Sequence, residues 1–175
     1  MIAVSASPLR IIGFVASAST FSAKSPAIAS IFWSISVGAG ISDWATYYYN
    51  TDITPFTRQY LGGTPQTDPE VYRKTSPISY IGHAKTPTLI QQGSVDRRVP
   101  VADSFELRQA LEDRGVPVKM VLYNGFGHPV NKPKQQRAVM EENELWFDHY
   151  IWGDPLPAEL TPVTKAKPED AKGTK

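Results

Sequence analysis

The sequence has no cysteine, no excess of charge of either sign and no long hydrophobic run. Without cysteine it has no disulfide framework, no thiolate metal site and no cysteine nucleophile. The net charge of +1 gives no electrostatic basis for binding nucleic acid or an acidic partner. No apolar run approaches the ~18 residues of a membrane-spanning helix, and three dispersed histidines do not suggest a zinc site. We therefore expect no nucleic acid, membrane, metal or cofactor; the cellular compartment stays open.

The chain of 175 residues is long enough for one domain, and a hydrophobic share of 41% with four tryptophans suffices for a core. Residues 1–35 are serine-rich and atypical; within them, 10–15 suits either a buried strand or part of a signal peptide. Residues 36–157 carry the regular patterns. Residues 158–175 are rich in proline and charge and lack aromatics, which predicts a disordered tail.

The most informative stretch runs from Thr86 to His128. An apolar run ending at Gly93 is followed by Asp96, then by a helical pattern over about 102–114, a second strand-like run over 117–123 and a glycine-rich loop. Parallel strands joined by a crossover helix end on the same edge of their sheet. We therefore expect Asp96 and His128 to meet, although 32 positions separate them.

His128 lies between Gly127 and Pro129, in a loop whose glycines allow the imidazole to approach another group closely. A general base needs that approach, and a carboxylate to fix its tautomer and stabilise the imidazolium. The alternatives are a surface loop histidine and, for Asp96, an ordinary turn residue or a partner for Arg97 or Arg98. For His83 and His149 we expect no catalytic role.

The other patterns predict one further strand and several helices. The strand covers about 31–39, and an aromatic helix over 44–49 follows Asp43 as a cap. Thr54 and Asp68, each before proline, are predicted helix caps. Phe105 is expected on the core side of the helix over 102–114, and a last helix from about 133 to Gly153 should pack on the sheet.

A series of motifs follows one another between residues 36 and 128. They are Ser36-Val37-Gly38-Ala39-Gly40-Ile41-Ser42-Asp43-Trp44, Arg58-Gln59-Tyr60-Leu61-Gly62-Gly63, Ser76-Pro77, Pro87-Thr88-Leu89-Ile90-Gln91-Gln92-Gly93, Asp96-Arg97-Arg98-Val99-Pro100, Leu111-Glu112-Asp113-Arg114-Gly115-Val116-Pro117 and Gly125-Phe126-Gly127-His128. Together they resemble the C-terminal part of the catalytic domain of the prolyl oligopeptidase family of serine peptidases, in its acylaminoacyl-peptidase and dipeptidyl-peptidase-like branch. The likeness covers roughly 36–157, and the motifs occur in order at family-like spacing.

This resemblance implies an α/β-hydrolase fold with a mostly parallel sheet flanked by helices. It also implies hydrolysis of a peptide substrate through an acyl-enzyme, with Asp96 as the triad acid and His128 as the base. Trp44 and Tyr47 match aromatics that line the proline-accepting pocket of dipeptidyl-peptidase-like relatives; ordinary helix core is the alternative.

The sequence departs from the family at the nucleophile, because it contains no Gly-x-Ser-x-Gly motif. Ser17, within Val15-Ala16-Ser17-Ala18-Ser19, falls where the motif should be, 79 positions before Asp96. Both glycines are replaced, and β-branched Val15 resists the dihedrals of that turn. We therefore expect little activity from this chain alone. A truncated or rearranged gene start, a missing upstream domain and a homo-oligomer all stay open.

Two other functions remain possible on the sequence. An esterase with the same fold would need the same Asp and His loops, so these loops do not select the acyl substrate. A non-catalytic remnant that binds partners through an exposed sheet edge would account for the missing motif.

Overall fold

The computed structural model describes residues 34–156, which form a three-stranded parallel sheet flanked by helices. The predictions for the atypical N-terminal segment, including Ser17, and for the tail from residue 158 lie outside these residues. Within residues 34–156, no helix combines the length and apolar character needed to cross a membrane.

The sheet consists of β1 (Ile35–Gly38), β2 (Thr88–Gly93) and β3 (Val118–Tyr123), in that spatial order. Both pairs are parallel. All six residues of β2 are buried, as expected of a central strand with neighbours on both sides. The predicted strands of the Asp and His loops are thus confirmed, and they are adjacent in the sheet.

Three short helices connect β1 to β2: α1 (Trp44–Asn50), α2 (Thr54–Leu61) and α3 (Pro69–Thr75), followed by a 3-10 turn over Pro77–His83. The predicted caps are confirmed at Asp43, whose carboxylate accepts from Ala45 N at 2.7 Å, and at Asp68. The cap at Thr54 was wrong, because Thr54 is already the first residue of α2. Its hydroxyl instead donates to the carbonyl of Tyr48 at 3.2 Å.

Helix α4 (Val101–Asp113) is the crossover between β2 and β3, and Gly115 follows it with a φ of 68° that glycine accommodates without strain. Its buried face differs from the prediction, since Phe105 is 48% exposed. The buried residues of its first turn are polar, Asp103 and Ser104. Helical geometry explains the difference: Ser104 lies almost two turns before buried Leu111 and shares its face, whereas Phe105 is rotated about 100° away.

Helix α5 (Pro133–Phe147) continues into a π-helical turn over Asp148–Trp152 and ends at Gly153, which has a φ of 81°. It packs on the sheet as predicted, partly through polar contacts. Asn143 Oδ1 accepts from the Ser36 hydroxyl at 2.6 Å and from Gln91 Nε2 at 3.0 Å. One amide side chain of α5 therefore joins two strands.

Candidate active site

The carboxyl ends of β2 and β3 lie side by side, with Gly93 opposite Tyr123 in the register. The loops that follow are joined by backbone hydrogen bonds, from Ser94 N to the Tyr123 carbonyl and from Val95 N to the Phe126 carbonyl, each 3.0 Å long. A Cβ at Gly93 would overlap the carbonyl groups of Phe126 and Gly127. Glycine therefore permits the second loop to lie directly over the end of β2.

Asp96 lies in the first of these loops and its side chain is fully buried. Its Oδ1 accepts the backbone N–H of Arg98 at 2.8 Å and that of Val99 at 3.0 Å. Its Oδ2 lies 3.0 Å from Nδ1 of His128. Both carboxylate oxygens therefore have partners, and the position of the carboxylate is set by the backbone of its own loop.

His128 lies in the second loop and its side chain is about half exposed. With the proton on Nδ1, the neutral ring donates to Asp96 and leaves the lone pair of Nε2 free to accept a proton. No residue within 34–156 forms a hydrogen bond with Nε2. The predicted geometry, a carboxylate directed at an imidazole across the ends of adjacent parallel strands, is thus confirmed.

Ser94 adds a link between the loops that sequence reasoning missed. Its hydroxyl accepts from the Gly125 N–H at 2.9 Å and lies 3.3 Å from the side-chain oxygen of Asn124. Gly125 has a φ of 76°, so the turn that leads to His128 uses a backbone conformation that favours glycine. Only the glycines of this loop were a signal in the sequence; a serine after a strand is too common to be one.

Trp44 and Tyr47 lie in a buried cluster with Tyr48, Tyr72 and Val99, and they are 6% and 2% exposed. Their rings meet edge to face with centroids 5.4 Å apart. This packing is what a helix core predicts. A role in binding substrate stays a prediction for both residues.

Asp103 is a second buried carboxylate, at the start of α4. Its Oδ1 accepts the backbone N–H groups of Ser42 at 3.1 Å and Asp43 at 3.2 Å, whereas its Oδ2 has no hydrogen-bond partner within residues 34–156. Burial raises the pKa of Asp103 to about 7, and the nearby Glu106 carboxylate adds to the rise, while the N–H donors oppose it. Sequence reasoning missed it, since an acid in a first helical turn is usually exposed.

Similar proteins are found both by sequence and by structure. The acylamino-acid-releasing enzyme of Arabidopsis thaliana is 31% identical over 110 residues, covering 63% of this chain and 14% of the relative. The uncharacterized peptidase YtmA of Bacillus subtilis is 29% identical over 109 residues, which cover 62% of this chain and 42% of the relative. The chain thus spans less than half the length of these relatives.

Solved structures show the same fold. The acylaminoacyl peptidase of Pyrococcus horikoshii matches with a TM-score of 0.62 at 24% identity, over 70% of this chain and 20% of that one. A puromycin-hydrolyzing peptidase of Mycobacterium tuberculosis matches with a TM-score of 0.63 at 21% identity, over 75% of this chain and 20% of that peptidase. These neighbours are α/β-hydrolase peptidases. The parallel sheet of this chain, flanked by helices, agrees with that fold. Residues 27–153 match the sequence pattern of the prolyl oligopeptidase family, and the chain therefore belongs to that family.

Proposed function

We propose that Asp96 and His128 are the acid and base of a serine peptidase that cleaves peptide bonds through an acyl-enzyme. The observation that carries this proposal is the 3.0 Å contact between a fully buried carboxylate and a half-exposed imidazole. A base needs one nitrogen held by an orienting group and the other accessible to a reacting hydroxyl. His128 meets both conditions.

Each group has a defined part in the reaction. Nε2 of His128 takes the proton of a serine hydroxyl as its oxygen attacks the carbonyl carbon, and later gives that proton to the leaving amine. Asp96 keeps the Nδ1 proton in place and stabilises the imidazolium. The N–H groups of Arg98 and Val99 hold the carboxylate in position, so that it does not have to reorganise when the imidazolium forms.

Ser17 is the proposed nucleophile, and we propose that it reacts slowly in this chain. The stretch Val15-Ala16-Ser17-Ala18-Ser19 lacks both glycines of the family's elbow. In the family's motif the glycines allow a sharp turn at the serine, so we expect their replacement to slow proton transfer from Ser17 to His128. Because nucleophile and base act as a unit, misplacing one removes most of the benefit of the other.

A fluorophosphonate probe tests this proposal, since it labels only an activated serine. We expect the 175-residue chain to be labelled slowly. The double substitution Val15→Gly with Ser19→Gly recreates the elbow and should raise the labelling rate. Ser17→Ala or His128→Gln in that background should remove the gain.

Two outcomes would contradict parts of the proposal. Stoichiometric labelling of the unaltered chain that disappears in Ser17→Ala and in His128→Gln would show a working nucleophile without the glycines. Labelling that persists in His128→Gln would mean that His128 is not the base. Intact-mass measurement of each variant identifies the labelled fraction directly.

The substrate class we propose is a peptide with a blocked amino end, supported by the names of the relatives, which include acylamino-acid-releasing enzymes. Acetylated amino-acid amides and short-chain aryl esters should be compared on the variant with the restored elbow. Cleavage of esters alone, with no amide hydrolysis, would favour the esterase. Trp44→Leu and Tyr47→Phe test the pocket: a change in the ratio of kcat/KM between substrates, measured where each variant is still folded, would indicate substrate contact.

A further inference from the structure

We propose that Gln92 and Ser104 form a positioning pair that holds the Asp96 loop in the geometry needed to orient His128. This inference rests on the proposed function of Asp96 and His128. The hydrogen bonds of the Gln92 and Ser104 side chains go to each other and to Val99 and not to His128, so both residues would act through the loop.

The contacts form a continuous series behind the carboxylate. The hydroxyl of Ser104 donates to Oε1 of Gln92, and Nε2 of Gln92 donates to the carbonyl oxygen of Val99. Val99 in turn donates its own N–H to Oδ1 of Asp96 at 3.0 Å. Val99 is thus held at both backbone polar groups, by Gln92 on one side and by Asp96 on the other.

The chemistry of the partners fixes the orientation of the Gln92 amide. The Val99 carbonyl can only accept, so the NH₂ group of Gln92 must face it, and the amide oxygen then faces the Ser104 hydroxyl. Gln92 is 2% exposed and Ser104 1% exposed, so water does not readily replace either contact. An apolar side chain at position 92 would leave the buried Val99 carbonyl without this donor, which is costly in a dry interior.

The neighbouring residue provides a matched control, because Gln91 is almost as buried, at 5%, but its side chain lies on the other face of the strand. Its hydrogen bonds are with Asn143 and the Val139 carbonyl on α5 and with the hydroxyl of Tyr123. The Asp96 loop is not among them. Replacing either glutamine removes a buried amide from the central strand, but only Gln92 holds the loop.

The test uses the full chain and nitrogen-15-labelled histidine. Imidazole NMR reports the tautomer of His128 and the rate at which its Nδ1 proton exchanges with water; a His128→Gln spectrum assigns the signal. We expect Gln92→Leu and Ser104→Ala to speed this exchange on the order of tenfold, the factor that about 1.4 kcal/mol of weakened hydrogen bonding produces. Gln91→Leu should lower the melting midpoint about as much as Gln92→Leu does, but it should leave the exchange rate of the His128 Nδ1 proton unchanged.

The controls separate the failure of this inference from failure of the proposed function. Asp96→Asn should change the tautomer; if its His128 signal matches that of the unaltered chain, the acid–base pair does not form in solution and both proposals fail. If Asp96→Asn has this effect but Gln92→Leu and Ser104→Ala do not speed exchange, only the positioning role is overturned. Equal acceleration in Gln91→Leu would also overturn it. Should Gln92→Leu fail to fold, Ser104→Ala decides.

Discussion

Asp96 and Asp103 are both buried aspartates. Their Oδ1 atoms have similar hydrogen-bond partners, whereas their Oδ2 atoms differ. In each, Oδ1 accepts two backbone N–H groups, from Arg98 and Val99 in one case and from Ser42 and Asp43 in the other. The second oxygen of Asp96 meets an imidazole, whereas that of Asp103 meets no partner within residues 34–156.

The difference between the two second oxygens separates a candidate catalytic group from a structural one. The imidazole of His128 can carry a positive charge, so an ionised Asp96 is useful during a reaction that charges it. Oδ2 of Asp103 has no such partner among residues 34–156, and burial raises the pKa of Asp103 to about 7. Its two N–H contacts join the first turn of α4 to the loop before α1, so its contribution is to hold two elements together.

The largest expected effect is on activity and should appear at Asp96 alone. In the chain with the restored elbow, Asp96→Asn should lower the fluorophosphonate labelling rate on the order of 10⁴-fold, the loss seen when a serine-protease triad Asp is replaced by Asn. The cause is the wrong tautomer of His128. Asp103→Asn keeps an oxygen acceptor for both N–H groups and should leave the rate little changed.

Equal losses in these two variants would erase the distinction between the two sites. They would show that Asp96 matters as a buried fold element and not through its histidine. Near-ultraviolet circular dichroism of each variant, recorded under the labelling conditions, ensures that folded proteins are compared.

The next effect concerns stability against pH and should depend on Asp103. Its pKa is about 7 in the folded chain, against an ordinary value of 3.8. Between these values the folded state binds more protons than the unfolded state, so the free energy of unfolding falls as pH rises from about 4 to about 7. At about 1.36 kcal/mol per pKa unit, the fall is on the order of 4 kcal/mol at most.

Urea unfolding from pH 4 to pH 8 measures this fall. In Asp103→Asn the contribution should disappear, and the difference between the two curves isolates Asp103. Burial also raises the pKa of Glu106, and its carboxylate acts on Asp103, so the same two curves should be compared again in a Glu106→Gln background. Parallel curves for the two proteins would show that Asp103 titrates normally.

The smallest effect concerns the ion pair between Arg98 and Asp52, which joins the outer side of the Asp96 loop to the segment between α1 and α2. The two side chains are 2.8 Å apart but 48% and 42% exposed. Water and salt screen such pairs, so we expect Arg98→Gln to shift the melting midpoint only slightly and the shift to vanish in about 1 M salt. A large shift that resists salt would mean that this pair, and not the buried contacts, fixes the loop.

The site was predictable from the sequence because its parts are local signals placed by a general rule. A strand followed by Asp96, a helix, and a strand followed by a glycine-rich loop with His128 allows one parallel arrangement, and that arrangement brings the two loops together. The resemblance to the prolyl oligopeptidase family pointed to the same pair. Their catalytic role, like those of Ser17, Trp44 and Tyr47, stays a prediction.

The errors lie at two positions where a polar side chain is buried or bonded in a way that the sequence pattern does not reveal. Phe105 was expected in the core because it is apolar, but the buried positions of that helical turn belong to Asp103 and Ser104. Thr54 was expected to cap a helix, but its hydroxyl reaches the carbonyl of Tyr48 instead. Hydrophobic and capping patterns describe each residue from its neighbours in the sequence. They do not show which hydrogen-bond partners the folded chain brings to a polar atom.

The sequence by itself determined the order of strands and helices, pointed to the family, and predicted that Asp96 and His128 meet, because periodicity, glycine positions and loop motifs are properties of neighbouring residues. Only the tertiary structure showed that Asp103 is a second buried carboxylate, and that its Oδ2 has no hydrogen-bond partner within residues 34–156. The tertiary structure also decided that the Gln92 side chain donates to the Val99 carbonyl in the Asp96 loop, whereas the Gln91 side chain donates to Asn143 on α5. The physical reason is that a buried polar group is defined by the partners that folding brings to it, 7 residues away for Gln92 and 61 for Asp103.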